Sequence, residues 1–153
     1  MKYFLLISLF ALIPFMGVNA QGGNNANNAD KRAELMAKYM EQKKAYIKQC
    51  IPLSDSEAER FFAVYDELER KKFEIMLPVH KEARKIRKST EEISNEIYSD
   101  MANKLAELPM KIATVESEYF EKFKQILSPK QMFMFFNCEN SFGKSILKKE
   151  QNK

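Results

Sequence analysis

The sequence predicts an all-α fold of four helices, dominated by a long, curved antiparallel helical hairpin. Three observations lead there. Beyond residue 20 the only glycines are Gly22, Gly23 and Gly143, tryptophan is absent, and Lys, Glu, Ala, Met and Leu abound, a balance that favours helix over sheet. Two long stretches place apolar residues in alternating steps of three and four, the spacing of one helix face. Ser-x-x-Glu/Gln boxes, the mark of a helix N-terminus, stand before each of the last three expected helices.

The first twenty residues read as a cleaved signal peptide. Lys2 precedes an apolar run from Tyr3 to Val18, and Val18-Asn19-Ala20 offers the small residues that signal peptidase requires. The run is shorter than a spanning helix and is broken by Pro14 and Gly17, which argues against a membrane anchor. Loss of this segment removes Lys2 and no acid, so the formal charge drops from +4 to +3. That is weak for a nucleic-acid binder, and no nucleic-acid partner is expected. Export also places the chain in an oxidising compartment. There Cys50 and Cys138, the only cysteines, either form one disulfide or remain two half-buried thiols.

Residues 21–29, rich in Asn and Gly, form a flexible leader, because so polar a tract buries too little to order itself. Asp30 caps a first helix that runs to about Lys48 along Leu35, Met36, Tyr39, Met40, Tyr46 and Ile47. Ile51-Pro52-Leu53 ends it, and Ser54 with Glu57 boxes the start of a helix over 54–88. Its apolar positions are 58, 61, 65, 68, 75, 79, 83 and 86, with a polar gap at Lys72. Ser89 and Glu92 form a second box, followed by apolar positions 93, 97, 101, 105, 108, 112, 115, 119, 123 and 126 in a helix over 90–127.

Two helices of such similar length, joined by so short a turn, must run antiparallel, as a hairpin about 50 Å long. Pro78 and Pro109 lie inside them and bend them. Ser128-Pro129-Lys130-Gln131 is a third box and opens a last helix to about Leu147, within a helical domain over 30–148 and before a disordered tail at 149–153.

An internal repeat emerges from these boxes. Ile51-Pro-Leu-Ser-Asp-Ser-Glu-Ala-Glu-Arg-Phe-Phe and Gln125-Ile-Leu-Ser-Pro-Lys-Gln-Met-Phe-Met-Phe-Phe share Leu-Ser-x-x-Glu/Gln, built from Leu53, Ser54 and Glu57 and from Leu127, Ser128 and Gln131, each followed by a Phe-Phe pair. The doubled motif resembles the Spy/CpxP family of periplasmic helical proteins, whose signature is Leu-Thr-x-x-Gln occurring twice. The resemblance spans roughly residues 35–148. Ser stands for Thr in both copies and Glu57 for Gln in the first, substitutions that preserve the capping chemistry. The resemblance implies a curved four-helix cradle, often a homodimer, that binds unfolded clients without ATP or regulates an envelope stress sensor.

Met132-Phe133-Met134-Phe135-Phe136 is too apolar for one seam, since five consecutive helical residues point to all sides. It is either sandwiched within the monomer or a dimer or client contact, with methionine giving adaptable packing. Phe61 and Phe62 occupy the matching place in the first repeat and also suit the core. Lys81, Arg84, Lys85, Arg87 and Lys88 make a basic tip, which is either a solvated face or a surface that steers acidic clients or anionic headgroups.

His80 with Met76 one turn before it is a poor metal site, because selective sites converge three or four ligands. Glycine-rich phosphate loops, zinc spacings and nucleophile elbows are missing, so the sequence gives no material for catalysis and implies no cofactor. The leading expectation is a periplasmic, non-enzymatic, ATP-independent chaperone-like or stress-response protein that holds unfolded or envelope polypeptides without membrane insertion. An envelope-stress or metal-sensing regulator of a sensor kinase or extracytoplasmic sigma-factor pathway, and a coiled-coil structural adaptor, are the alternatives.

Overall fold

A computed structural model describes residues 25–151, and over them the chain is all-helical, with four helices and no strand. These are α1 (Asn25–Cys50), α2 (Asp55–Lys88), α3 (Asn95–Lys124) and α4 (Pro129–Gln151). The expected signal peptide, residues 1–20, lies outside the described residues. The helices form two compact units: α2 with α3 over Asp55–Leu127, and α1 with α4.

Within the first unit the two long helices run antiparallel. Phe61 meets Phe123, Glu67 meets Lys122, Lys72 meets Glu116 and Glu82 meets Lys104, so residue numbers fall along α3 as they rise along α2. The buried stripe of α2 is Ala58, Phe61, Tyr65, Leu68, Lys72 and Met76, and that of α3 is Met101, Leu108, Ile112, Tyr119 and Phe123. Phe61, Tyr65, Tyr119 and Phe123 are almost wholly enclosed, and burial of each large side chain contributes roughly 1.5–3 kcal/mol. The stripe of α2 departs from the sequence expectation beyond Leu68, where Met76 is buried and positions 75, 79, 83 and 86 are only half-buried. The polar gap at Lys72 is not a gap, because Lys72 is itself buried in the seam.

The start of α3 also differs. Ser89 does not cap a helix with Glu92; its Oγ accepts from the Glu91 amide at 3.2 Å and donates to the Glu91 carbonyl at 3.3 Å, a local turn that competes with helix formation. Ser94 is the N-cap, in extended backbone, and its Oγ accepts from the Ile97 amide at 3.4 Å. The Ser94 hydroxyl also binds the Glu96 carboxyl and holds it below the usual carboxylate range. At the other end the helix closes at Lys124 rather than 127, with Gln125 and Ile126 donating to Lys122 and Phe123 in a tightened last turn.

In the second unit, Ser128 and Gln131 make the reciprocal box that the sequence predicts. The Gln131 amide donates to Ser128 Oγ at 3.3 Å, and the Ser128 amide donates to Gln131 Oε1 at 2.8 Å. Helix α1 begins at Asn25, so Asp30 lies inside it and not at its cap. Adding residues upstream of a formed helix gains a backbone hydrogen bond each without any need for burial. Likewise α4 runs on to Gln151, beyond Leu147.

Candidate functional site

Each unit presents a surface of its own. On the hairpin, two buried charges, Glu69 and Lys72, and the half-buried Glu116 set the frame. Lys72 Nζ binds Glu69 at 3.1 Å and Glu116 at 2.8 Å, with the lysine side chain 4% exposed and the carboxylates 7% and 18%. Two further cross-helix pairs close one edge, Glu67 with Lys122 at 3.3 Å and Glu82 with Lys104 at 2.9 Å. The Tyr119 hydroxyl and then the Lys122 ammonium hold the Glu67 carboxyl below its ordinary range. Lys122 also sits 4.1 Å from the centre of the Tyr119 ring. Asp100 and Glu82 together raise the Lys104 ammonium.

The opposite edge is different in kind. At about 100° per residue, Phe62, Phe73 and Leu77 fall on the flank of the α2 stripe away from Glu67 and Glu82. Because α3 runs the other way, Tyr98, Leu105 and Phe120 fall on its adjoining flank. Phe73, Tyr98, Leu105 and Phe120 are exposed, and Phe62 and Leu77 are half-buried. Small side chains, Ala102, Ala106 and Ala113, separate them. One edge thus carries two cross-helix ion pairs, while the other, on whose α3 flank Glu116 also lies as it reaches Lys72, leaves Phe73, Tyr98, Leu105 and Phe120 open to solvent. The sequence seam had counted Ile97 and Leu105 as core; a single facing helix covers too narrow a strip to enclose them.

Phe61 is core, packed against Phe62, Tyr65 and Phe123 at centroid distances of 5.1, 5.8 and 5.1 Å. At the hairpin tip Lys81, Lys85, Arg87 and Lys88 are exposed and Arg84 is half-buried. The one acid of that run, Glu82, is taken up by Lys104 from α3. Met76 is buried in the seam, whereas His80 is exposed. Among the described residues no three His, Cys, Asp or Glu side chains converge where a metal ion could sit.

In the second unit Cys50 and Cys138 form a disulfide, with their Cα atoms 6.1 Å apart. It ties the end of α1 to the middle of α4. Around it Phe142 packs against Tyr39 and Tyr46 at 5.4 and 5.5 Å, and Lys43, itself buried, binds Glu139 at 2.9 Å. Gln131 adds a tie that sequence reasoning missed: its Nε2 donates to the Pro52 carbonyl at 2.9 Å. A glutamate at that position has no such donor, which was the legible signal. Leu127 is buried, Leu53 and Glu57 are half-buried, and Ser54 immediately precedes α2.

The aromatic stretch on α4 is split. Met132 and Phe135 are buried, Met134 and Phe136 are half-buried, and Phe133 is 69% exposed. No described helix is long and apolar enough to cross a membrane.

The chain matches no protein-family model, and no curated protein or solved structure is significantly similar to it.

Proposed function

We propose that this chain is a non-catalytic binding protein of Spy/CpxP-like type, which holds unfolded or partly unfolded polypeptides on the open edge of its helical hairpin without ATP. The observation that carries this reading is the asymmetry of the hairpin. Ion pairs close one edge, and Phe73, Tyr98, Leu105 and Phe120 stand open on the other. A row of separated apolar side chains, interspersed with alanines and charges, suits extended chains of varied sequence better than one shaped ligand. In this proposal Pro78 and Pro109 curve the hairpin, a second copy pairs with it as a homodimer, and the protein works in the periplasm. The disulfide is compatible with that oxidising compartment.

The test is suppression of aggregation of a chemically denatured enzyme diluted into buffer lacking ATP. The chain at several-fold molar excess lowers light scattering, and the Phe73→Ser/Leu105→Ser/Phe120→Ser variant loses most of that effect while keeping its helicity. A wild-type chain that leaves scattering unchanged sinks the proposal.

A further inference from the structure

The two units divide the charge of the chain unequally. Helices α1 and α4 together carry ten basic and five acidic residues, whereas residues 55–127 carry thirteen basic and sixteen acidic ones. Two of the five acids are neutralised within the unit, Glu34 by Lys38 at 2.6 Å and Glu139 by Lys43 at 2.9 Å. Lys48, Lys130 and Lys144 are exposed and make no ion pair with any described residue.

Helix α4 sorts these charges by face. Gln131, Cys138, Glu139 and Phe142 turn toward α1, through the Pro52 carbonyl, the disulfide, Lys43 and the two tyrosines. At about 100° per residue, Lys130, Phe133, Asn137 and Lys144 fall in one stripe on the far side of the helix. All four are exposed, Phe133 to 69%, and the stripe contains no acid. It is roughly 20 Å long at 1.5 Å per residue.

We infer that this face of α4 docks onto an anionic lipid surface. The lysines match its charge, and their aliphatic stems lie along the boundary while the ammonium groups reach the headgroups. Phe133 is a lone convex anchor that stands out from its helix, and a fluid headgroup layer accepts such a side chain without a preformed pocket. Attachment is peripheral, since neither α1 nor α4 is apolar enough to span. The inference does not depend on client binding by the hairpin.

The test is cosedimentation of the chain from Gln21 onward, which holds all four helices, with vesicles of phosphatidylglycerol and phosphatidylcholine or of phosphatidylcholine alone. The chain binds the anionic vesicles at low salt, leaves the neutral ones, and is released when salt shortens the screening length to about 3 Å. Each lysine near such a surface contributes about fivefold in affinity, so Lys130→Glu/Lys144→Glu weakens binding by at least about 25-fold. Phe133→Ser weakens it while preserving the salt dependence. All three residues are exposed, so thermal melts of these variants match the parent. No binding to anionic vesicles, equal binding to neutral ones, or affinity unchanged in the double variant overturns the inference. A preference for polyglutamate over vesicles also overturns it, by assigning the face to an acidic protein. Aggregation suppression is measured without lipid, so failure of either proposal leaves the other standing.

Discussion

The cluster of buried Glu69 and Lys72 with half-buried Glu116 makes the hairpin sensitive to which of its members is lost. Replacing Lys72 by methionine conserves much of the volume but leaves two carboxylates, 7% and 18% exposed, without their shared cation. Removing one partner of a buried ion pair costs about 3–5 kcal/mol, because the remaining charge is stranded out of water. With a urea m-value of roughly 1–3 kcal/mol/M, the midpoint of unfolding falls by about 1 M or more. The triple change Glu69→Leu/Lys72→Met/Glu116→Leu removes every stranded charge and restores or exceeds parental stability, by up to about 4 kcal/mol. Urea titration followed by circular dichroism at 222 nm reads both. A Lys72→Met midpoint within about 0.2 M of the parent, the behaviour of an exposed pair, refutes the reasoning.

Other consequences follow from single contacts. Gln131→Glu keeps the acceptor that caps α4 but deletes the donor to the Pro52 carbonyl; it destabilises by about 1 kcal/mol, read as a lower melting temperature, whereas Gln131→Ala loses both contacts and falls further. The Cys50–Cys138 bond joins residues 88 apart in sequence, so Cys50→Ser/Cys138→Ser costs about 4–5 kcal/mol by loop entropy, seen as a large drop in denaturant midpoint that reducing the parent reproduces. Acid acts through Glu67 and Glu96, whose folded carboxyls lie below the ordinary value of 4.5. Their contribution is present above that value and fades as pH falls through the lowered one. Lys104, raised above 10.5, contributes below that value and is lost as pH climbs past its folded one. The melting temperature is therefore flat between about pH 6 and 9, and Glu67→Gln flattens the acid limb.

The helices were legible because their signals are local. Alternating threes and fours placed Phe61, Tyr65, Tyr119 and Phe123 in the seam, where they are buried, and the Ser128 box predicted its own two hydrogen bonds. What stayed hidden depends on partners distant in sequence. Lys72 looked like a break in the stripe because its counterion Glu116 belongs to the other helix. Ser89 carries the Glu three residues on that marks a box, whereas Ser94 does not, yet Ser94 is the cap, because the Ser89 hydroxyl is taken up by the Glu91 backbone in a local turn. The apolar run at 132–136 announced surplus greasy surface, but only the orientation of α4 shows that Phe133 is the side chain left outside. Leu105 and Ile97 kept the rhythm of core residues yet are exposed, since rhythm records which face is apolar and not whether a neighbour covers it.

Site-specific photo-crosslinking to a permanently unfolded, carboxymethylated polypeptide addresses the open edge of the hairpin most directly. A photoreactive residue at position 73, 105 or 120 captures the polypeptide, and one at position 67 or 122, on the ion-paired edge, does not. Equal capture from both edges, or none from the apolar one, contradicts binding on that face.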